Sequence, residues 1–130
     1  MKKYFLLLLL AFSITNIFSQ NEDPQYLFHD YLFSDLYVVD IIEIHPDSTY
    51  TSKQWSFEDK KDWQSYKNIE PDIETGRIIK EGEYFSITKY KDGKEVTLVS
   101  KIKLNKRRLV FYYPDSNGEL VAQGRYKRIN

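Results

Sequence analysis

The chain has 130 residues, in which 19 basic side chains balance 19 acidic ones, and it contains no cysteine. The lack of cysteine excludes disulfides, thiol nucleophiles, thiolate metal ligands and the lipid-attachment cysteine of a lipoprotein. Its length suits one domain with one hydrophobic core.

The first 19 residues have the layout of a secretory signal peptide. Met1-Lys2-Lys3 precedes an apolar run from Tyr4 to Phe12, and small and polar residues then lead to Ser19. The apolar run is shorter than the roughly 20 residues that a membrane-spanning helix needs. We therefore predict cleavage near Ser19 and export to the periplasm or the medium, with no membrane span after cleavage.

Charge is distributed unevenly along the rest of the chain. Residues 20–76 include 13 acidic and 4 basic residues, whereas residues 77–130 include 6 acidic and 13 basic residues. A basic second half could bind nucleic acid. Because its basic residues alternate with apolar ones along strands, we favour a sheet in which the two halves neutralise each other, and we expect no nucleic-acid partner.

Residues 20–35 are predicted to form a short N-terminal helix, with a short first strand as the alternative. Asp23-Pro24 is a typical helix start, with Asp as the N-cap and Pro at the first helical position. His29 has no partner motif, and we interpret it as structural. The apolar residues of this segment recur at helical spacing: Leu27, Phe28, Tyr31, Leu32.

Residues 36–130 are predicted to form an antiparallel β meander. Asp92-Gly93 and Asn117-Gly118 can supply the positive φ angles of tight hairpin turns. The pattern gives six strands, or seven if Gly82 splits the third, so the sheet could stay partly open, with the N-terminal helix in the gap and a filled core rather than a cavity. The predicted strands run from Leu36 to Ile44, Thr49 to Phe57, Ile78 to Tyr90, Glu95 to Leu104, Leu109 to Tyr113 and Glu119 to Ile129.

A highly charged segment from Glu58 to Glu74 interrupts the meander. Trp63, Tyr66 and Ile69 follow one another at helix-like intervals, which predicts a long loop with a helical turn. Long loops in compact domains are often functional. The two aromatic rings could stack on a sugar or hold an apolar ligand, or they could pack as a lid on the core.

The chain resembles the small bacterial lipocalin-like domains of exported proteins. It lacks the Gly-x-Trp entry of many lipocalins, and its 58–74 segment is longer than expected. The resemblance implies a mostly β fold: an antiparallel meander that forms a small lipocalin-like barrel or half-open barrel and has no enzymatic activity. It covers residues 36–130 and rests on Pro46-Asp47-Ser48-Thr49-Tyr50, Gly82-Glu83-Tyr84-Phe85-Ser86-Ile87, Leu109-Val110-Phe111-Tyr112-Tyr113 and Gly124-Arg125-Tyr126-Lys127-Arg128-Ile129.

We therefore expect an exported, non-enzymatic binding module for a small apolar or amphipathic ligand. The alternative is a solid β-sheet protein that binds another protein of the cell envelope through the 58–74 segment or through a basic face formed by Lys101, Lys103, Arg125 and Lys127. We expect no cofactor, and two separated histidines without cysteine indicate no metal site. Six aromatic residues are the candidate ligand contacts: Tyr50, Trp55, Trp63, Tyr84, Phe111, Tyr126.

Overall fold

The computed structural model describes residues 22–130, so the predicted signal peptide lies outside the described residues. Among residues 22–130, no helix has the length and apolar character needed to cross a membrane. The fold is mostly β, as predicted. Its elements are β1 (Gln25–Phe33), β2 (Leu36–Ile44), β3 (Thr49–Phe57), a 3₁₀ helix (Lys60–Asn68), β4 (Asp72–Glu81), β5 (Tyr84–Lys91), β6 (Lys94–Leu104), β7 (Arg108–Pro114) and β8 (Leu120–Arg128).

The eight strands form a closed antiparallel barrel in which each strand pairs with its neighbour in sequence and β8 returns to β1. This confirms the meander and the helical turn within the 58–74 segment. The predicted partly open sheet of six or seven strands is wrong. The third predicted strand divides at Gly82, whose φ is 64°, and β1 supplies the eighth strand.

The predicted N-terminal helix is also wrong, because residues 25–33 form strand β1. Tyr26 and Phe28 point into the barrel and alternate with outward side chains. The apolar residues of this segment therefore fit the two-residue repeat of a strand as well as the spacing of a helix. Eight residue pairs join β1 to β2. This pairing outweighs the local helix signal of Asp23-Pro24, since secondary-structure propensity is weaker than tertiary context.

The two turns predicted from Asp92-Gly93 and Asn117-Gly118 differ. At the β5–β6 turn both Asp92 and Gly93 have positive φ, 52° and 76°, as predicted. At the β7–β8 turn only Gly118 does, with φ of 80°. That loop is longer than two residues: Asp115 N donates to Glu119 O and Gly118 N donates to Asp115 O. A single left-handed residue then completes it.

The barrel has a closed base and a more open mouth. We define the base as the end with the β2–β3, β4–β5 and β6–β7 turns, and the mouth as the end with the β1–β2, β5–β6 and β7–β8 turns. Inward side chains alternate along each strand, as Leu98, Ser100 and Ile102 do on β6. The buried apolar core comprises Tyr26, Ile42, Ile44, Tyr50, Ile78, Ile87, Ile102, Leu109, Phe111 and Tyr126.

Gly76 on β4 leaves room for the ring of Tyr50, which reaches from β3 over β4 to β5. The Tyr50 hydroxyl donates to the Thr88 carbonyl of β5 at 2.8 Å. A Cβ at position 76 would lie 1.9 Å from that same carbonyl oxygen and 2.8 Å from Cε1 of Tyr50. Glycine is therefore required here by close approach rather than by backbone angle.

The junction of β1 and β8, which we call the seam, has the fewest backbone pairs. Only Tyr26 with Arg128 and Leu27 with Lys127 are paired across it. Beyond them the rings of Phe28 and Tyr126 stack, with centroids 5.1 Å apart. At the base, Ile129 N donates to Gln25 O at 3.0 Å. One pair of stacked rings thus bridges the junction beyond the backbone ladder.

A candidate binding site inside the barrel

A buried carboxyl group lies in the middle of the barrel. Asp40 is on the inward face of β2, between Val38 and Ile42, and is 6% exposed. Ser52 Oγ donates to its Oδ1 at 2.8 Å, and the Tyr126 hydroxyl donates to its Oδ2 at 2.5 Å. Asp40 therefore joins β2, β3 and β8 across the interior.

The pKa of Asp40 is raised above its usual range because burial disfavours the charged carboxylate. Hydrogen bonds from Tyr126 and Ser52 act in the opposite direction, and the charge of Glu74 adds to the increase. No basic side chain among residues 22–130 forms an ion pair with Asp40. Within the described part of the chain, the buried carboxyl group of Asp40 therefore has no cation that pairs with it.

An inner cavity of about 170 Å³ lies above Asp40, toward the mouth. Burial decreases from Asp40 and Ser52 to the exposed Glu74 and Tyr113, which shows the direction in which the cavity opens. Its wall is partly aromatic and partly polar, and contains no basic residue. The lining residues are Asp40, Ile42, Tyr50, Ser52, Gln54, Glu74, Ile87, Leu98, Ser100, Phe111, Tyr113 and Tyr126.

Two tyrosines of the cavity wall are held in their protonated form. Burial, followed by the charges of Glu74 and Asp40, raises the pKa of Tyr50 to about 12. Burial and the neighbouring Asp40 raise the pKa of Tyr126 well above its usual range. Both hydroxyls therefore act as hydrogen-bond donors, to Thr88 O and to Asp40.

The structure brings three of the six sequence-predicted contacts together. Tyr50, Phe111 and Tyr126 line the inner cavity. Tyr84 lies on the outer wall, where its ring packs edge-on against Tyr112 and Lys103 Nζ lies 4.7 Å from its centroid. It is therefore remote from the interior.

Trp55 and Trp63 belong to an aromatic cluster that covers the outside of β2. Trp63, on the 3₁₀ helix, stacks on His29 with centroids 3.9 Å apart. Trp55 Nε1 donates to Ile69 O at 2.8 Å. Beneath the helix Val39 is 0% exposed although it points outward. The 58–74 aromatics thus pack as a lid on the outer face and do not reach the cavity.

Sequence reasoning missed the polar part of the cavity, which consists of Asp40, Ser52, Gln54, Glu74 and Ser100. Asp40 is the only charged residue in the apolar stretch from Leu36 to Ile42. Charged side chains are rarely buried without a partner, so this interruption is the signal that could have indicated a polar interior.

A second group of acidic and imidazole side chains lies on the outside, near the base. Single ligand atoms of Asp23, Glu43 and His45 lie within 4.8 Å of one another. Both ring nitrogens of His45 already make hydrogen bonds, Nδ1 with Asp23 at 2.7 Å and Nε2 with Thr51 at 2.8 Å. The group therefore attaches the segment before β1 to the β2–β3 hairpin.

Comparison of the chain with protein-family models, with curated proteins and with solved structures gave no match.

Proposed function

We propose that the protein binds a small amphipathic ligand in the inner cavity, and that the polar head of this ligand is a cation, such as a primary ammonium group, held by Asp40. The observation that carries the proposal is the buried Asp40, which forms no ion pair with any residue from 22 to 130. Buried charges in proteins are paired, or they lose their charge. A cationic ligand would supply the missing partner.

The cavity determines the size and shape of the ligand. Its volume of about 170 Å³ is the liquid volume of roughly six water molecules, which fits a short amine rather than a fatty acid. Tyr50, Phe111 and Tyr126 offer ring surface for an apolar body, and aromatic faces also attract cations. Glu74 at the mouth favours the entry of positive charge.

We propose binding without catalysis. Both carboxylate oxygens of Asp40 accept hydrogen bonds from neighbouring side chains, which holds the group as a fixed acceptor. The eight-stranded barrel is compatible with a lipocalin-like protein, and we propose that kinship on the resemblance of the sequence. We also propose that the protein acts outside the cytoplasm, on the basis of its N-terminal pattern.

The experiment compares short ligands of equal size and different charge. Butylamine, butanol and butyrate are titrated into the mature protein, and thermal unfolding and calorimetry report binding. A ligand that binds only the folded state raises stability by RT ln(1 + [L]/Kd). We expect stabilisation by the amine alone.

Two variants locate the effect. Asp40→Asn keeps the shape of the side chain and should abolish the response to the amine, whereas Glu70→Gln, which removes an exposed acid outside the cavity, should leave it unchanged. Equal responses to amine and alcohol, or an undiminished response in Asp40→Asn, would contradict the proposal.

A further inference from the structure

The seam exposes two strand edges that face each other. On β1, residues 28–33 pair with β2 but not with β8, and on β8, residues 120–125 pair with β7 but not with β1. Their backbone N–H and C=O groups on the seam side have no ladder partner within residues 22–130. Such edges are ready templates for another strand.

A cleft of about 390 Å³ separates the two edges on the outside of the barrel. Phe28 and Asp30, on the inward face of β1, line one side of it, whereas Arg125 and Lys127 line its β8 side. It is therefore an elongated groove between strands and is separate from the inner cavity. Its full lining is Leu27, Phe28, His29, Asp30, Ala122, Gln123, Arg125 and Lys127.

The β8 side of the cleft is strongly basic. Arg108 lies directly opposite Lys127 across the β7–β8 ladder, and Arg125 is one step away on the same outer face. On the neighbouring wall, Lys101 contacts Glu81 at 3.1 Å. In contrast, no acidic side chain among residues 22–130 forms an ion pair with any of these six residues: Lys106, Arg107, Arg108, Arg125, Lys127, Arg128.

We propose that the seam is a docking site for an extended acidic segment of another protein, which adds to the barrel as a strand beside β8. The unpaired backbone groups select a polypeptide, because only a strand satisfies N–H and C=O groups in register. Side chains of the added strand would alternate. Acidic ones would lie outside beside Arg125 and Lys127, and apolar ones inside beside Phe28.

Two other occupants fit less well. A nucleic acid would use the basic side chains but would leave the strand edges unpaired. A second copy of this chain, paired edge to edge through β8, would bring the Arg125 and Lys127 side chains of both copies together, and like charges facing each other across strands are destabilising. The inference does not depend on a ligand in the inner cavity.

The test uses the mature protein and a fluorescently labelled, end-blocked octapeptide in which Glu and Val alternate. Two control peptides are the same composition with all Glu in one block, and the alternating peptide with Lys in place of Glu. Fluorescence anisotropy measures affinity, and amide hydrogen exchange locates the bound peptide. We expect binding of the alternating acidic peptide only, with slowed exchange in residues 28–31 and 122–125.

Paired charge reversals separate the seam from the general charge of the protein. Arg125→Glu with Lys127→Glu should weaken binding by about tenfold or more, since each surface ion pair contributes up to about 1 kcal/mol and reversal adds repulsion. The matched control, Lys91→Glu with Lys94→Glu, makes the same change at the exposed β5–β6 hairpin and should stay within about twofold. If the seam variant does not fold, Arg125→Gln with Lys127→Gln replaces it.

Several results would overturn the proposal. Equal affinity for the alternating and block peptides would indicate charge attraction without strand addition. Slowed exchange away from the seam, or equal effects of the two charge reversals, would place the site elsewhere. Tighter binding of a single-stranded oligonucleotide than of the peptide would favour nucleic acid, and a stable dimer that excludes the peptide would favour a second copy.

Discussion

The hydrogen bond from Tyr126 to Asp40 should stabilise the fold more than any neutral hydrogen bond of similar burial. Tyr126→Phe removes only the hydroxyl that donates to Oδ2 of Asp40. Hydrogen bonds to charged groups contribute about 1.5 to 3 kcal/mol, against about 0.5 to 1.5 kcal/mol for neutral pairs. Tyr50→Phe is the matched control, because it removes a buried tyrosine hydroxyl that donates to a neutral carbonyl, Thr88 O.

The loss in Tyr126→Phe should depend on pH. Burial raises the pKa of Asp40 in the folded state, so folding favours the protonated carboxyl group. The stability that this group contributes is therefore fully present below its unfolded pKa, near 3.8. That stability is lost as the pH rises through the folded pKa. The Tyr126 hydroxyl opposes that loss by stabilising the carboxylate. Removal of the Tyr126 hydroxyl should therefore lower the free energy of unfolding only slightly at low pH and most at neutral pH.

Urea unfolding, followed by tryptophan fluorescence at several pH values, measures both effects. We expect the difference in unfolding free energy between wild type and Tyr126→Phe to grow from the lowest pH at which the protein is folded up to pH 8. The difference for Tyr50→Phe should stay constant. Equal, pH-independent losses in both variants would refute the assignment of Asp40 as an ionisable interior group.

Three further variants test other parts of the barrel. Gly76→Ala should lower the free energy of unfolding in urea by at least about 3 kcal/mol, because the added methyl group would overlap backbone atoms that cannot move aside. Gly124→Ala is the matched control: its added Cβ has its nearest contact at 3.6 Å, and it should lower the free energy of unfolding by less than about 1 kcal/mol. Asp40→Asn should be more stable than wild type at neutral pH and should lose this advantage at acid pH. Trp63→Ala should uncover Val39 and cost about 1 to 3 kcal/mol in thermal unfolding, with little change in amine binding.

Each of these has a contrary outcome. Equal stability of the two glycine variants would contradict the close approach at Gly76. A fixed stability difference for Asp40→Asn at all pH values would mean that the carboxyl group does not titrate in the folded state. Loss of amine binding in Trp63→Ala would connect the outer aromatic lid to the inner cavity.

The second half of the fold could be predicted because its signals are local. On β6 the alternation that places Leu98, Ser100 and Ile102 on one face is directly readable, and Asp92-Gly93 marks its hairpin. The first strand could not be assigned in the same way. The apolar residues of 25–33 fit both the two-residue repeat of a strand and the spacing of a helix. The segment becomes a strand because it pairs with β2 and with the distant β8.

The site was only partly predictable for a similar reason. Aromatic residues on strands are candidates for an interior, but the inward face has to be known for each strand. On β2 both faces are covered, one by the core and one by the 3₁₀ helix, so Val39 and Asp40 are both buried although they point in opposite directions. Local patterns alone do not reveal which of the two enters a cavity.

The seam also has a consequence for the order of folding. Seven of the eight strand junctions join neighbours in sequence, whereas the contact between Gln25 and Asn130 spans 105 residues. Closing a loop of about 100 residues costs about 2 kcal/mol more in chain entropy than closing a ten-residue hairpin. We therefore expect the meander from β1 to β8 to form first, with the junction of β1 and β8 as the last to close and the first to open.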